Sequence, residues 1–240
     1  MADDLARSWR LFRAFLKEQS DPDLFYAELA ADSARQVDTW HRLHGARLLD
    51  VGGGPGYFAA AFEAAGATYF GLDSDVGEMH LHGREPGPRT VMGSGTSLPF
   101  RDSSMDIVYT SNVLEHVGDP WRMADDMVRV TRPGGMIFIS YTLWWGPWGG
   151  HETAPMHYFG GERAARRYAR RNGREPKNRF GVSLFPITAR SGIEWARHCR
   201  DAEFVSAFPR YLPTWSTALL KVPVAREVLT WNIALVLRKR

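Results

Sequence analysis

The stretch that most constrains this chain is Leu48-Leu49-Asp50-Val51 followed by Gly52-Gly53-Gly54-Pro55-Gly56-Tyr57-Phe58. An apolar run feeds an acid, then a set of glycines, then an alanine-rich segment. That order predicts a buried strand, a tight turn and the start of a helix. Only glycine takes a positive φ freely and lets a backbone approach closely. A turn of this kind at a helix start is expected to aim backbone N–H groups at a ligand. The spacing Gly52-x-Gly54-x-Gly56 differs from the G-x-G-x-x-G of dinucleotide folds.

The rest of the chain continues the pattern. Residues 5–18 hold Leu5, Trp9, Phe12, Phe15 and Leu16 at helical spacing. Asp21-Pro22 reads as an N-cap with proline at the first helical position, opening a helix to about Trp40. Residues 47–51, 67–72, 90–92, 106–110 and 136–141 read as strands, with helices over 57–65 and up to about Val130. Strands alternating with helices in this way predict a parallel sheet covered on both faces. Residues 143–190 break the rhythm; a helix at 193–202 and strands at 204–208 and 231–237 follow. Arg238-Lys239-Arg240 at the end of the last strand suits an edge strand leading into solvent.

Four motifs stand in order: Asp50-x-Gly52-x-Gly54-x-Gly56; Gly93-Ser94 followed by Leu98-Pro99-Phe100; Met105-Asp106-Ile107-Val108 leading to Leu114-Glu115-His116-Val117; and Arg132-Pro133-Gly134-Gly135. Together they resemble the methyltransferase-11 branch of class I S-adenosylmethionine-dependent methyltransferases, over about Leu48 to Tyr141. The resemblance implies a Rossmann-like α/β fold: a mostly parallel seven-stranded sheet, helices on both faces and an antiparallel last strand. One domain is expected across residues 1–240, with leading helices (1–45), a cofactor-binding core (46–142), an acceptor cap (143–190), and a closing helix and strands (191–240). The implied cofactor is S-adenosylmethionine, leaving as S-adenosylhomocysteine.

On that resemblance Gly52, Gly54 and Gly56 give the cofactor its close backbone approach. Asp50 orients the loop or meets the methionine ammonium. Asp73, about 20 residues beyond the turn, would accept hydrogen bonds from the ribose hydroxyls, with Ser74 beside it. The family usually has Asp after the glycine at the place of Gly93, accepting from the adenine amino group. Here Ser94 stands, with Thr96 as a further acceptor. Leu98 is expected against the adenine ring, and Asn112 along the pocket wall.

His116 follows the fourth strand near the edge where open α/β sheets bind ligands, and is the first candidate for a base; the competing reading is a helix-packing residue. His151 and His157 are further candidates for that role. With Glu152 they do not form H-E-x-x-H, and Pro155 opposes one helix presenting both rings, so no metal site is expected. Trp144, Trp145 and Trp148, set among glycines, offer flat faces to an acceptor or fill the core beneath the cap; Tyr158 is a candidate orienting hydroxyl.

Eight basic residues between Arg163 and Arg179 read as a solvated helix face or as a dock for an anionic acceptor. The formal net charge is only +3, so the case for nucleic acid is weak. The one cysteine, Cys199, permits no intrachain disulfide and fits a reducing cytoplasm. No secretory signal and no uncharged apolar run of spanning length are apparent. Pro213 to Leu229 reads as a segment packed against the sheet edge, where the family often has a short hairpin. The expected reaction is methyl transfer to a small-molecule oxygen, a sugar or phenolic hydroxyl. An RNA methyltransferase and a non-catalytic cofactor-binding protein are the alternatives.

Overall fold

A computed structural model describes residues 2–18 and 20–240. Helices α1 (Ala2–Phe15) and α2 (Pro22–Trp40) lead into β1 (Arg47–Val51). Asp21 caps α2 as expected, its side chain accepting from the Leu24 N–H. There follow α3 (Ala59–Ala64), β2 (Thr68–Asp73), α4 (Val76–Met79), β3 (Thr90–Met92), β4 (Met105–Ser111), α5 (Pro120–Val130) and β5 (Thr131–Thr142). The chain closes with α6 (Gly161–Asn172), α7 (Ala189–His198), β6 (Ala202–Pro209), α8 (Pro223–Val228) and β7 (Asn232–Lys239).

The seven strands form one sheet in the order β3-β2-β1-β4-β5-β7-β6. All run parallel except β7, which is antiparallel to both of its neighbours. β7 is therefore an interior strand, not the edge strand suggested by its basic end. Its first six residues are buried, and the charges begin only where it emerges at Arg238. The exposed edge on that side is β6.

Side-chain alternation explains why both faces are covered. Val108, Ile137, Ile139, Leu235 and Leu237 point to the layer holding α5 and α7. Ile107, Tyr109, Phe138, Ala234 and Val236 point to the layer holding α2 and Phe62 of α3. Arg132-Pro133-Gly134-Gly135 is a bulge at the start of β5: Met105 pairs with Thr131, but Ile107 already pairs with Met136. Gly134 has φ +77°, and a Cβ at Gly135 would sit 2.7 Å from the Asp106 carbonyl oxygen. Between β6 and β7 there is no hairpin; a 3₁₀ segment over Thr214–Lys221 and the short α8 pack on β6 and α7.

Strand order reverses between β1 and β4, so the crevice that such sheets offer to ligands opens at their carboxyl ends. The sequence motifs converge there.

Candidate active site

The turn after β1 is built around positive φ at Gly52 (+78°), Gly54 (+50°) and Gly56 (+77°). Its floor is closed. A Cβ at Gly52 would lie 2.4 Å from a Val113 methyl, and one at Gly53 would lie 2.9 Å from the Tyr69 hydroxyl. Its outer side is open: a Cβ at Gly54 meets only the Glu78 carbonyl at 3.8 Å, and one at Gly56 only Ala59 at 3.9 Å.

The N–H groups of the turn are spent inside the protein, contrary to the expectation that they face a ligand. Gly52 and Gly53 donate to the Leu72 carbonyl at 2.7 and 3.1 Å, and Gly56 to the Gly53 carbonyl at 3.0 Å. Gly54 donates to Asp73 Oδ2 at 2.9 Å. These bonds tie the loop to the end of β2. What the loop offers is close approach, which suits a ligand without phosphate.

Asp73 ends β2, half-buried, its Oδ1 accepting from the Asp75 N–H at 3.0 Å. Ser74 beside it is exposed. Asp50 lies under Gly53, 2% exposed, and accepts from the Tyr69 hydroxyl at 2.8 Å. Burial pushes its carboxyl up to about 7; the Tyr69 hydrogen bond opposes this, the Asp73 charge adds to it, and the Arg210 charge opposes it. The Ser94 and Thr96 hydroxyls bond each other at 2.9 Å at the mouth beyond β3.

Two expected wall residues are engaged elsewhere. Leu98 is buried in the core layer with Met123 and Met127. The Asn112 amide donates to the Tyr211 hydroxyl at 3.1 Å and accepts from Asn232 Nδ2 at 2.6 Å. Its amide is thus engaged on both sides, and its backbone turns at φ +56°.

The histidines separate. His116 closes a 3₁₀ turn (Leu114–His116) after β4, and His151 opens another (His151–Thr153) in the segment after β5. Their rings meet edge to face at 5.0 Å. A hydrogen bond of 2.7 Å joins His116 Nδ1 to the Ser183 carbonyl. A carbonyl only accepts, so Nδ1 carries a proton, which leaves Nε2 as the nitrogen free to meet a ligand. Burial lowers His151 from its ordinary imidazole value, opposed by the charge of Glu115.

Glu115 was not among the candidate residues, although Leu-Glu-His-Val contains it. It is 1% exposed; Oε1 accepts from the Thr142 N–H at 3.0 Å, which fixes the carboxylate between β4 and β5. One ligand atom from each of Glu115, His116 and His151 lies within 4.8 Å of the others. His157 is not part of this group. It is 1% exposed, bonded through Nε2 to the Gly146 carbonyl at 3.2 Å and packed on Trp144. It is a core residue, too enclosed to serve as a base. Glu152 points elsewhere, accepting from Asn178.

The tryptophans divide too. Trp144 is buried against His157 and Phe180. Trp148 stacks among Phe12, Phe15 and Trp231, fastening α1 to the segment after β5. Trp144 fills the core, and Trp148 is half-buried in an aromatic cluster with its neighbours. Trp145 is 43% exposed, and Tyr158, also exposed, donates to the Trp145 carbonyl at 3.2 Å.

Residues 177–185 run back along the site. Lys177 Nζ reaches Glu78 at 2.8 Å, Phe185 packs over Gly118, and the Phe185 N–H donates to the Glu115 carbonyl at 2.8 Å. On α6, Ala164 and Ala165 are buried while Arg163, Arg166, Arg167, Arg170 and Arg171 line an outward groove of about 510 Å³.

A family model described as "Methyltransferase domain" matches residues 49–139. An uncharacterized methyltransferase of Mycolicibacterium gilvum (strain PYR-GCK) is 51% identical over 247 residues, covering 98% of this chain and 94% of that protein. One of Mycolicibacterium vanbaalenii is 52% identical over 243 residues, with 98% and 94% coverage. Among solved structures, an S-adenosylmethionine-dependent methyltransferase of Mesorhizobium loti superposes with a TM-score of 0.58 at 16% identity, covering 87% of this chain and 98% of that one. The open cradle above Gly54 and Gly56, with the Asp73 carboxylate at its side, fits the nucleoside such enzymes use. With the 3-2-1-4-5-7-6 sheet and near full-length relatives in agreement, the chain belongs to the class I S-adenosylmethionine-dependent methyltransferases.

Proposed function

We propose that the protein methylates a hydroxyl oxygen of a small-molecule acceptor, a sugar or a phenol. The observation that carries this reading is the gathering of Glu115, His116 and His151 at the carboxyl ends of β4 and β5, next to the glycine turn. A free amine or a thioether needs no proton acceptor before it attacks, whereas a hydroxyl does.

When bound, S-adenosylmethionine supplies a methyl made electrophilic by the sulfonium. Asp73 is assigned to the ribose hydroxyls: its oxygens each hold one backbone N–H and keep further lone pairs. Ser94 and Thr96 are assigned to the adenine edge in place of the usual Asp, and Gly52, Gly54 and Gly56 to the approach of the methionine end. Asp50 shapes the loop from below. Residues 143–190 form the acceptor cap, with Trp145 and Tyr158 facing the acceptor and the α6 arginines suiting one that carries negative charge. Covering the site excludes water, which favours a step in which a sulfonium and a developing alkoxide neutralise each other. Alignment alone supplies ~7–11 kcal/mol of such a barrier.

The cluster activates the hydroxyl in one of two ways. A free neutral imidazole takes the proton, or the three donors together hold a cation that acidifies it. Either way His116→Ala should slow transfer about 10²–10⁴-fold while cofactor affinity, measured by calorimetry, stays the same. Unchanged turnover across sugar and phenol acceptors would remove His116 from the reaction.

A further inference from the structure

We infer that Glu115, His116 and His151 form a three-ligand site for a divalent first-row cation, which holds and acidifies the acceptor hydroxyl. The cation site itself is read from geometry; its role in transfer rests on the O-methylation reading above.

Three observations converge. The first is the donor set: two imidazoles and one carboxylate offer one atom apiece within 4.8 Å of one another. Ligands ~2.1 Å from one ion sit about 3–4 Å apart, so small side-chain rotations close the set. Two nitrogens and a carboxylate oxygen suit Zn²⁺, Co²⁺ or Fe²⁺, and three protein ligands leave positions open for a substrate oxygen.

The second is an orphan. Glu115 Oε2 is buried and has no hydrogen-bond partner, while the His151 ring has only a loose approach to the Gly149 carbonyl. A buried carboxylate oxygen left bare is costly, and native proteins rarely keep one without a reason. Both residues belong to this cluster, and a cation would give the bare carboxylate oxygen its partner.

The third is the orientation of the ligands from behind. His116 donates Nδ1–H to the Ser183 carbonyl, the arrangement that presents Nε2 to a metal and fixes the ring. Glu115 is held through Oε1 by the Thr142 N–H, leaving Oε2 for the ion. His151 sits at φ +48° in a segment where a backbone strain of that sign is uncommon for a non-glycine residue, and it aims its ring at His116.

A cation held there would lower the hydroxyl pKa, and the O–H proton would leave to bulk water before the cap covers the site. The oxygen lone pair then forms the C–O bond, and the C–S bonding pair returns to sulfur. No oxidation or reduction is involved.

The test uses the full-length protein, stripped with chelator and titrated with Co²⁺, then challenged with Zn²⁺. S-adenosylhomocysteine affinity is measured on each sample as the check of fold. One equivalent of Co²⁺ should bind with visible d–d absorption and be displaced by Zn²⁺. His151→Asn, which keeps a residue tolerant of positive φ, and Glu115→Gln should each weaken Co²⁺ binding more than about 100-fold, beyond what loss of an outer-shell partner costs. His198→Ala, on the exposed end of α7, should bind as the parent does. Should Glu115→Gln lose S-adenosylhomocysteine binding, His151→Asn decides alone. Absence of saturable Co²⁺ binding, or equal binding by His151→Asn, overturns the cation site and leaves the O-methylation reading standing. Stoichiometric Co²⁺ binding without transfer to any hydroxyl acceptor keeps the site and removes O-methylation.

Discussion

Asp50 shows how one residue serves the loop above it at a cost to the fold below. Its carboxyl lies beneath Gly53, bonded to Tyr69, with an ordinary value of 3.8 pushed up to about 7 by burial. Between those values the folded protein holds a proton that the unfolded chain has released. This residue's contribution therefore becomes less favourable as pH rises from about 4 to about 7, by up to ~4 kcal/mol. Asp50→Asn keeps an acceptor for the Tyr69 hydroxyl and removes the titration. Urea midpoints should fall from pH 4 to pH 7 more steeply in the parent than in Asp50→Asn; parallel profiles would show that the Asp50 carboxyl ionises freely. Asp50 stands two residues before Gly52, which is why the sequence offered it as a loop-orienting acid or as a partner for the methionine ammonium. The burial of Leu98 and the side-chain bonds of Asn112 were not legible, because sequence order places both near the site but says nothing of which way a side chain turns.

At the scale of elements, Arg210 binds the layers together. It follows β6, is fully buried, and donates to Ser33 of α2, to Tyr109 and Ser111 of β4, and to Ser140 of β5. Its guanidinium also lies over the rings of Tyr109, Phe138 and Tyr211. Arg210→Ala would leave several buried hydroxyls short of a donor and open a cavity. We expect a loss of about 3–5 kcal/mol, read as a lower denaturant midpoint with an unchanged m-value. A loss below about 1 kcal/mol would mean water replaces the guanidinium without cost. Nothing in Phe208-Pro209-Arg210-Tyr211 foretells this, because the partners come from three distant elements, α2, β4 and β5. Strand and helix identities, by contrast, were legible wherever apolar period and capping agreed, as at Asp21-Pro22 and Leu48–Val51. The interior position of β7 was hidden because its terminal basic residues are local, whereas the antiparallel insertion between β5 and β6 depends on the whole sheet.

At the scale of the molecule, charge is uneven although the net value is small. The outward face of α6 carries five arginines, while the cluster of Glu115, His116 and His151 lies behind residues 177–185. Among the described residues no helix is long and apolar enough to cross a membrane. A small-molecule enzyme with such a face should bind RNA only in the non-specific range, roughly 10⁻⁴–10⁻⁶ M at physiological salt. Filter binding against salt would check this. Sub-micromolar affinity with a steep salt slope, lost when Arg166, Arg167 and Arg170 are changed to Gln, would make RNA the acceptor.

The sequence alone determined the sheet's parallel half, the glycine turn, the acid ending β2 and the family, because each is written in contiguous residues whose period and spacing have local causes. Tertiary structure alone decided which histidines share a site. His151 and His157 are six residues apart and look equivalent in the chain. The fold turns one toward His116 and Glu115 and encloses the other against Trp144. That choice rests on how the segment after β5 packs over the sheet, a set of long-range contacts that no local pattern specifies.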